Sequence, residues 1–454
     1  MAVSDQTGTS LPCSFNTANG LVTCSYAPSV IGSNTLTLSV NGSSFSRKFN
    51  VATPHGIYPQ GDRMMVGAYD GYDSGGGFTN YLTHNFNVSQ EYCSTCSAGD
   101  DLNIIDSAHA AGLVGAPGYL NNYSVCGSGG STSTCESTYI AQMWSDPYLV
   151  FWGIPEESAD TPAQDAAYSS YIHTNDSQHR PVFKYLPSGL SASSIQSHIS
   201  VVDLVGEGEY PIDDGYGSSC NFTPLQALPP VFARYVVEQE IQAIKNAGYS
   251  VGPNYASSQK TPILIPETVP AGAYCSGAPG TTAASITNQI WNGLAAGAKG
   301  YLDYLWNEGA LPDGNGVPAA LSAANELLLG PEGVGEWMIK GVAKGDLPVT
   351  ITGGPSTVSV SATIASFTYP SIRAAVWDWA GTRIIVAINS SSSSVTAKIS
   401  GLPAGAPPAS VVGESRTIAI SGGALSDSFV GLGVHVYKLP MVSQQSDGSW
   451  IALQ

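Results

Sequence analysis

Tyr148-Leu-Val-Phe-Trp-Gly-Ile-Pro-Glu-Glu157 and Thr261-Pro-Ile-Leu-Ile-Pro-Glu267 decide how this chain is read. Each is a short apolar run that stops on glutamate. An apolar run without polar alternation reads as a strand covered on both faces. A carboxylate at the end of such a strand is costly to bury unless it has a task or a partner. Six further runs of this kind lie in the same part of the chain. They are Met64-Met-Val-Gly-Ala-Tyr69, Asn85-Phe-Asn-Val-Ser89, Gly112-Leu-Val-Gly-Ala-Pro117, Pro181-Val-Phe-Lys-Tyr-Leu186, Val201-Val-Asp-Leu-Val-Gly206 and Gly300-Tyr-Leu-Asp-Tyr-Leu-Trp306. Helical periodicity lies between most of them, most clearly over Val231–Lys245 and Ala284–Ala296. Eight strand–helix units in about 280 residues predict an α/β fold of the (β/α)8 barrel type. A doubly wound open sheet is the alternative, but no Gly-x-Gly-x-x-Gly follows the first strand.

The flanks read differently. Residues 1–55 alternate apolar and polar positions, as in Leu21-Val-Thr-Cys-Ser-Tyr26 and Thr35-Leu-Thr-Leu-Ser-Val40, with a hairpin signal at Asn41-Gly42. This predicts a small β-module. Residues 56–344 would form the barrel. Residues 345–454 return to strands separated by Gly, Pro and Ser clusters, for example Thr382-Arg-Ile-Ile-Val-Ala-Ile-Asn389, and predict a C-terminal β-sandwich.

Composition narrows the partners. Only 11% of residues are charged, against about a quarter in ordinary globular chains, so surface polarity must come from Ser, Thr, Asn, Gln, Gly and Tyr. The formal net charge is −18, from 16 Lys and Arg against 34 Asp and Glu, and no Lys or Arg occurs between Arg63 and Arg180. Nucleic acid needs a basic track, so no nucleic-acid partner is expected. No apolar run approaches a membrane span. The eight cysteines fall in near pairs, Cys13/Cys24, Cys93/Cys96, Cys126/Cys135 and Cys220/Cys275. That spacing suggests four disulfides and an oxidising compartment, hence a secreted chain. Met1-Ala-Val-Ser-Asp5 reads as a start placed on a mature chain. Cys93-Ser-Thr-Cys96 lacks a second such pair, and histidine is sparse, so no metal or other cofactor is expected.

In a barrel of this type the reactive groups sit at the carboxyl ends of the strands. Those ends supply Tyr69 and Asp70 (first), Asn85 beside His84 (second) and Tyr119 (third). The fourth supplies Trp152, Glu156 and Glu157, and the fifth Lys184 and Tyr185. The sixth supplies Glu207, Glu209 and Tyr210, the seventh Glu267, and the eighth Trp306, Asn307 and Glu308. Carboxylates, amides and aromatic rings on one rim fit a sugar, whose hydroxyls need polar partners and whose C–H faces stack on rings. Glycosidic bond cleavage needs two carboxyls flanking the bond, and Glu157 with Glu267 is the expected pair. Structural readings stand beside these. Glu156 and Glu157 could cap the helix starting near Thr161-Pro162, and Trp152 could be core. Glu207 and Glu209 could hold hydroxyls, or bind Ca²⁺ with Asp213 and Asp214.

With those strand ends in place, the chain resembles clan A of the retaining glycoside hydrolases over roughly residues 60–440. Trp152-Gly-Ile-Pro-Glu-Glu157-Ser158 resembles its strand-four signature and Ile263-Leu-Ile-Pro-Glu267 its strand-seven signature. The resemblance implies a secreted enzyme on a poly- or oligosaccharide, with Glu157 as acid/base and Glu267 as nucleophile. Tyr210 would stand beside the nucleophile. The chain departs from the clan at Glu156, where Asn is usual, at Ser158, where Pro is usual, and in lacking a strand-two Arg. Retention implies carboxyls about 5–5.5 Å apart. The rival readings are an inverting glycosidase using Glu157 with Glu207 or Glu209, and a non-catalytic carbohydrate-binding protein on a barrel scaffold.

Overall fold

The structure is a computed structural model. It describes residues 2–4, 9–16, 21–24, 32–41, 43–51, 63–69, 78–90, 98–119, 134–155, 161–216, 220, 227–252, 259–273, 276–304, 315–330, 332–362, 364–444 and 450–452. The chain divides into two compact units, Met1–Gly56 and Ile57–Gln454.

In the first unit, Gly32–Val40 and Ser43–Val51 form a long antiparallel hairpin, with Ala2–Ser4 paired to its first strand. Asn41 turns the hairpin at φ 49°, a left-handed conformation that Asn tolerates. Cys13–Asn16 and Leu21–Cys24 form a second hairpin in which Cys13 faces Cys24. The Cys13–Cys24 disulfide expected from the spacing closes it.

The second unit contains a closed barrel. Its strands are β1 (Met65–Tyr69), β2 (Val88–Gln90), β3 (Ala116–Tyr119), β4 (Leu149–Gly153), β5 (Val182–Leu186), β6 (Leu204–Glu209), β7 (Gln259–Pro262, continued by Ile265–Pro266) and β8 (Gly300–Asp303). Neighbours pair in parallel from β3 through β7 and from β8 through β1 to β2. Parallel bridges Val88–Gly115 and Leu264–Tyr301 complete β2–β3 and β7–β8. All eight predicted strands therefore form, in sequence order, around one ring. Besides two short helices, Thr79–Thr83 and Asp213–Tyr216, the described helices are α1 (Ala98–Ala111), α2 (Thr134–Met143), α3 (Pro162–Asn175), α4 (Ala192–Ile199), α5 (Phe232–Asn246), α6 (Ala283–Ala296), α7 (Val317–Leu329) and α8 (Val334–Lys340). Among the described residues no helix is long and apolar enough to cross a membrane.

Two apolar layers explain why the strands are so continuously hydrophobic. One cluster draws Met65, Tyr69, Phe151, Phe183, Tyr185, Leu204, Ile263, Ile265 and Leu302 from the strands and nothing from the helices, so it fills the lumen. The other joins Val66, Leu149, Trp152, Val182, Leu186, Val205 and Leu264 to helix residues such as Ile172, Ile195, Val237 and Ile290. Local chemistry starts the helices where they are needed. Thr161 and Gln164 form a reciprocal capping box with Pro162 at the first position of α3. Gly297, at φ 133°, ends α6 in a conformation that side chains disfavour.

The C-terminal region is the expected sandwich. A six-stranded sheet contains Val342–Asp346, Ile372–Trp379, Thr382–Asn389, Val434–Pro440, Ala409–Val411 and Arg416–Ile418. A three-stranded sheet of Val349–Gly353, Val395–Ser400 and Ala424–Phe429 packs on one face through Ile385, Ala387, Ala397 and Leu425. The other face packs on the barrel shell through Trp377, Ile384, Val386 and Ile388. Both faces are covered, which accounts for the unbroken Ile384–Ile388 run. Asn288 of α6 donates to the Asn389 and Leu432 carbonyls at 2.9 and 3.1 Å and ties sandwich to barrel.

Trp152 and Arg180 belong to this scaffold. The Trp152 indole N–H donates to Asp176 Oδ2 at 2.9 Å. Arg180, fully buried, places Nε 2.8 Å from Asp176 Oδ2 and donates to the Asp146 and Leu149 carbonyls. Burial alone would raise the Asp176 carboxyl, but the bonds from Arg180 and Trp152 hold it below the usual range. This corrects the expectation of Trp152 as a sugar platform: its ring faces the helices and its polar edge is used internally. Removing one partner of a buried pair strands the other charge, so Arg180→Ala should lower the unfolding free energy by about 3–5 kcal/mol. A denaturant titration that shows a loss under about 1 kcal/mol would contradict that role.

Candidate functional site

Alternation along each strand sorts the rim residues into two groups. In β7 and its exit, Ile263 and Ile265 face the lumen, and Glu267 shares their parity. Glu267 is fully buried and bridges in register to Tyr304 at the end of β8. Its Oε2 accepts from the Ile212 amide at 2.8 Å and its Oε1 from the Asp213 amide at 3.2 Å. Its own amide donates to Gln289 Oε1 of α6 at 3.0 Å. The exit of β6 therefore orients this carboxylate, and the helix behind β7 holds its backbone.

A tyrosine group fills the lumen beside it. Tyr210 and Tyr304 have ring centroids 5.2 Å apart, Tyr69 and Tyr304 5.9 Å, and Tyr69 and Tyr185 6.0 Å. The hydroxyls of Tyr185 and Tyr210 are hydrogen-bonded to each other. Space for these rings comes from β6. A Cβ on Gly208 would stand 2.8 Å from the Tyr210 ring and 2.9 Å from the Tyr185 hydroxyl, so glycine is required there. Tyr304 was not among the expected site residues. Its signal was available, since it stands at the apolar end of the eighth strand with the spacing of Leu302.

The same alternation corrects the placement of Glu207 and Glu209. Gly206 and Gly208 face the lumen, and both glutamates point outward toward α5. Leu190 N–H donates to Glu207 Oε1 at 2.6 Å, and Ile265 N–H to Glu209 Oε2 at 2.6 Å. Glu240 of α5 accepts from the Glu207 amide at 2.6 Å. Asp214, in the short helix Asp213–Tyr216, accepts from Ser188 at 2.5 Å. Lys184 is also turned to the helix side, against Asp165 of α3. Asn85 precedes β2, at the opposite end of the strand from the rim, and donates to Ser322 at 3.4 Å. With Trp152, four of the expected rim residues thus serve the shell and one the barrel floor. Tyr119 lies at the end of β3, but its side chain lies outside the described part, as do Asp70, Glu156, Glu157, Trp306, Asn307 and Glu308. Cys220 is disulfide-bonded; Cys93, Cys96, Cys126 and Cys275 and the Cys135 side chain also lie outside the described part.

Behind β6 the carboxyls crowd without a cation. Among the described residues no Lys or Arg pairs with Glu207, Glu209, Glu240 or Asp214, and one oxygen of each is buried without a hydrogen-bond partner. Burial pushes Glu207 well above the usual carboxylate range, and Asp214 adds to the rise. Glu209 rises by burial and by Glu207, and Glu240 by burial and by both. Asp214 is pushed up to about 7, and Asp303, buried behind β8 with Thr268 donating to it at 2.5 Å, to about 8.

No protein-family model and no curated protein sequence matches this chain. Solved structures match its fold. A candidate alpha-galactosidase/melibiase from Bacteroides fragilis is 10% identical, with a TM-score of 0.51 over 96% of this chain and 91% of that one. An alpha-amylase from Geobacillus thermoleovorans, solved with acarbose, is also 10% identical, with a TM-score of 0.50 over 83% of this chain and 98% of that one. The likeness establishes the (β/α)8 barrel with a C-terminal β-rich domain; chemistry is a property of sites and not of the fold.

Carboxyls raised by folding bind protons more tightly in the native state than in the unfolded chain. Their stabilisation is fully present below the unfolded carboxylate range, near pH 4, and is lost as pH rises through the folded values. For Asp214 and Asp303 that loss begins near pH 4 and is complete near about 7 and about 8. The melting temperature should therefore fall between about pH 5 and about pH 8, by at least about 2 °C. Glu209→Gln or Glu240→Gln should flatten the slope. A melting temperature that rises over this interval, measured by calorimetry, would contradict neutral carboxyls in the shell.

Proposed function

We propose that this protein is a secreted glycoside hydrolase that cleaves a poly- or oligosaccharide with retention, using Glu267 as nucleophile and Glu157 as acid/base. The observation that carries the reading is Glu267 itself. It stands at the exit of the seventh barrel strand, on the lumen side, oriented by the Ile212 and Asp213 amides. An oriented carboxylate at this end of a barrel has the geometry to attack an anomeric carbon. Tyr69, Tyr210 and Tyr304 set aromatic rings beside it, of the kind that stack on sugar C–H faces. Two solved structures of similar fold are described as an alpha-amylase and a candidate alpha-galactosidase. The disulfides support the secreted assignment.

In the proposed reaction Glu157 donates a proton to the leaving oxygen as a Glu267 oxygen bonds the anomeric carbon. Water, deprotonated by Glu157, then displaces Glu267, and two inversions give net retention. Glu157 follows β4 in sequence and lies outside the described residues; the mechanism requires its carboxyl about 5–5.5 Å from that of Glu267. An inverting pair with Glu207 or Glu209 finds no support, because both carboxyls face the helices.

A panel of aryl and natural glycosides should reveal hydrolysis that Glu267→Gln lowers by about 10³-fold or more, and that Glu157→Gln lowers most for poor leaving groups. A 2-deoxy-2-fluoro glycoside of the sugar so identified should leave a covalent adduct on the peptide containing Glu267. An adduct on another carboxylate would replace the nucleophile. Glycan binding without hydrolysis in the unmodified protein would replace the enzyme by a binding module.

A further inference from the structure

Lys184 is an unexpected residue for the interior of β5. Its side chain is fully buried between strand and helix layer. Nζ donates to the Pro155 carbonyl at 2.5 Å and lies 3.2 Å from Asp165 Oδ1. Asp165, also fully buried, belongs to the first turn of α3, and its Oδ2 lies 2.6 Å from His198 Nδ1 of α4. A buried ion pair of this kind is often no more stabilising than apolar residues of the same volume. What it adds is a charge-assisted donor aimed at one peptide carbonyl.

That carbonyl has a particular place in the chain. The ladder between β4 and β5 continues beyond Gly153 through the Ile154 amide, which donates to Phe183 at 3.0 Å. Donors to β5 alternate along β4, Trp152 and then Ile154, so the Pro155 carbonyl lies beyond the last ladder bond among the described residues. Lys184 reaches across from β5 and takes hold of that carbonyl. Glu156 and Glu157 follow at once.

We propose that Lys184, held by Asp165, is a positioning residue that fixes the exit of β4 at the Pro155 carbonyl and so sets where the acid/base carboxyl stands. The assignment of that carboxyl rests on the function proposed above. Lys184 touches no substrate in this scheme; it acts through the backbone of Pro155.

The double variant Lys184→Met, Asp165→Asn removes both charges together and leaves neither buried alone. Two measurements read it. Hydrogen exchange of the peptide spanning residues 150–160 should quicken about ten-fold or more, while peptides from α6 stay as in the unmodified protein. The turnover number should fall about ten-fold or more on glycosides with alcohol leaving groups and much less on dinitrophenyl glycosides, which need no protonation, with KM within about two-fold. Lys184→Gln, which keeps a neutral donor, should recover part of both and serves where the double variant does not fold. Unchanged exchange over 150–160 would overturn the inference whatever the activity. Faster exchange with equal loss on both leaving-group classes would overturn the link to the acid. An unmodified protein that hydrolyses no glycoside would sink the proposed function, and the exchange measurement would still decide whether Lys184 holds the strand exit.

Discussion

Closure of eight parallel strands into a ring leaves no strand face in water, so every residue in β1–β8 is committed either to the lumen or to the helix shell. Polar residues on these strands must therefore be partnered inside the protein or remain uncharged. The barrel meets that demand in three ways. Arg180 satisfies its donors with Asp176 and three carbonyls around β4 and β5. Lys184 shares Asp165 with His198. Among the described residues no cation pairs with Glu207, Glu209 or Glu240, and burial raises all three well above the usual carboxylate value.

The candidate site follows from the same rule. Lumen positions near the mouth hold tyrosines and Glu267, and Gly208 of β6 makes room for the rings. Glu267 differs from the shell carboxyls in the partners of its oxygens. Backbone amides from the β6 exit hold both of them, whereas each acid behind β6 keeps an oxygen unbonded. Two populations of buried carboxyl thus lie on opposite faces of neighbouring strands. The oriented one suits chemistry. Those behind β6 hold protons more tightly in the folded chain than in the unfolded one, which biases stability toward acid conditions.

The eight strands, their order and the sandwich were legible because a strand covered on both faces must be apolar throughout, and this chain writes eight such runs with helical periods between most of them. The Cys13–Cys24 link was legible from spacing. The rim was legible only in part. Asn85 was placed at a strand end by proximity in sequence, yet β2 begins three residues later, which puts Asn85 on the floor. Trp152, Lys184, Glu207 and Glu209 were rightly placed on strands, but residue type does not tell which face a residue takes. In Val205-Gly-Glu-Gly-Glu209 the glycines held the clue, since small residues at alternate positions mark where something large must fit.

What the sequence determined by itself is the periodic pattern: which runs are strands, which are helices, and that Glu267 ends a strand where a barrel keeps its reactive groups. That information is local, and apolar spacing carries it without reference to distant residues. Only the tertiary structure decided which face of each strand meets which layer, and so which carboxyl is held by amides and which is left among other acids. Those outcomes depend on partners far apart in the chain: Ile212 for Glu267, Glu240 for Glu207, and Pro155 for Lys184. A side chain's direction is fixed by ring closure, and ring closure is a property of all eight strands at once.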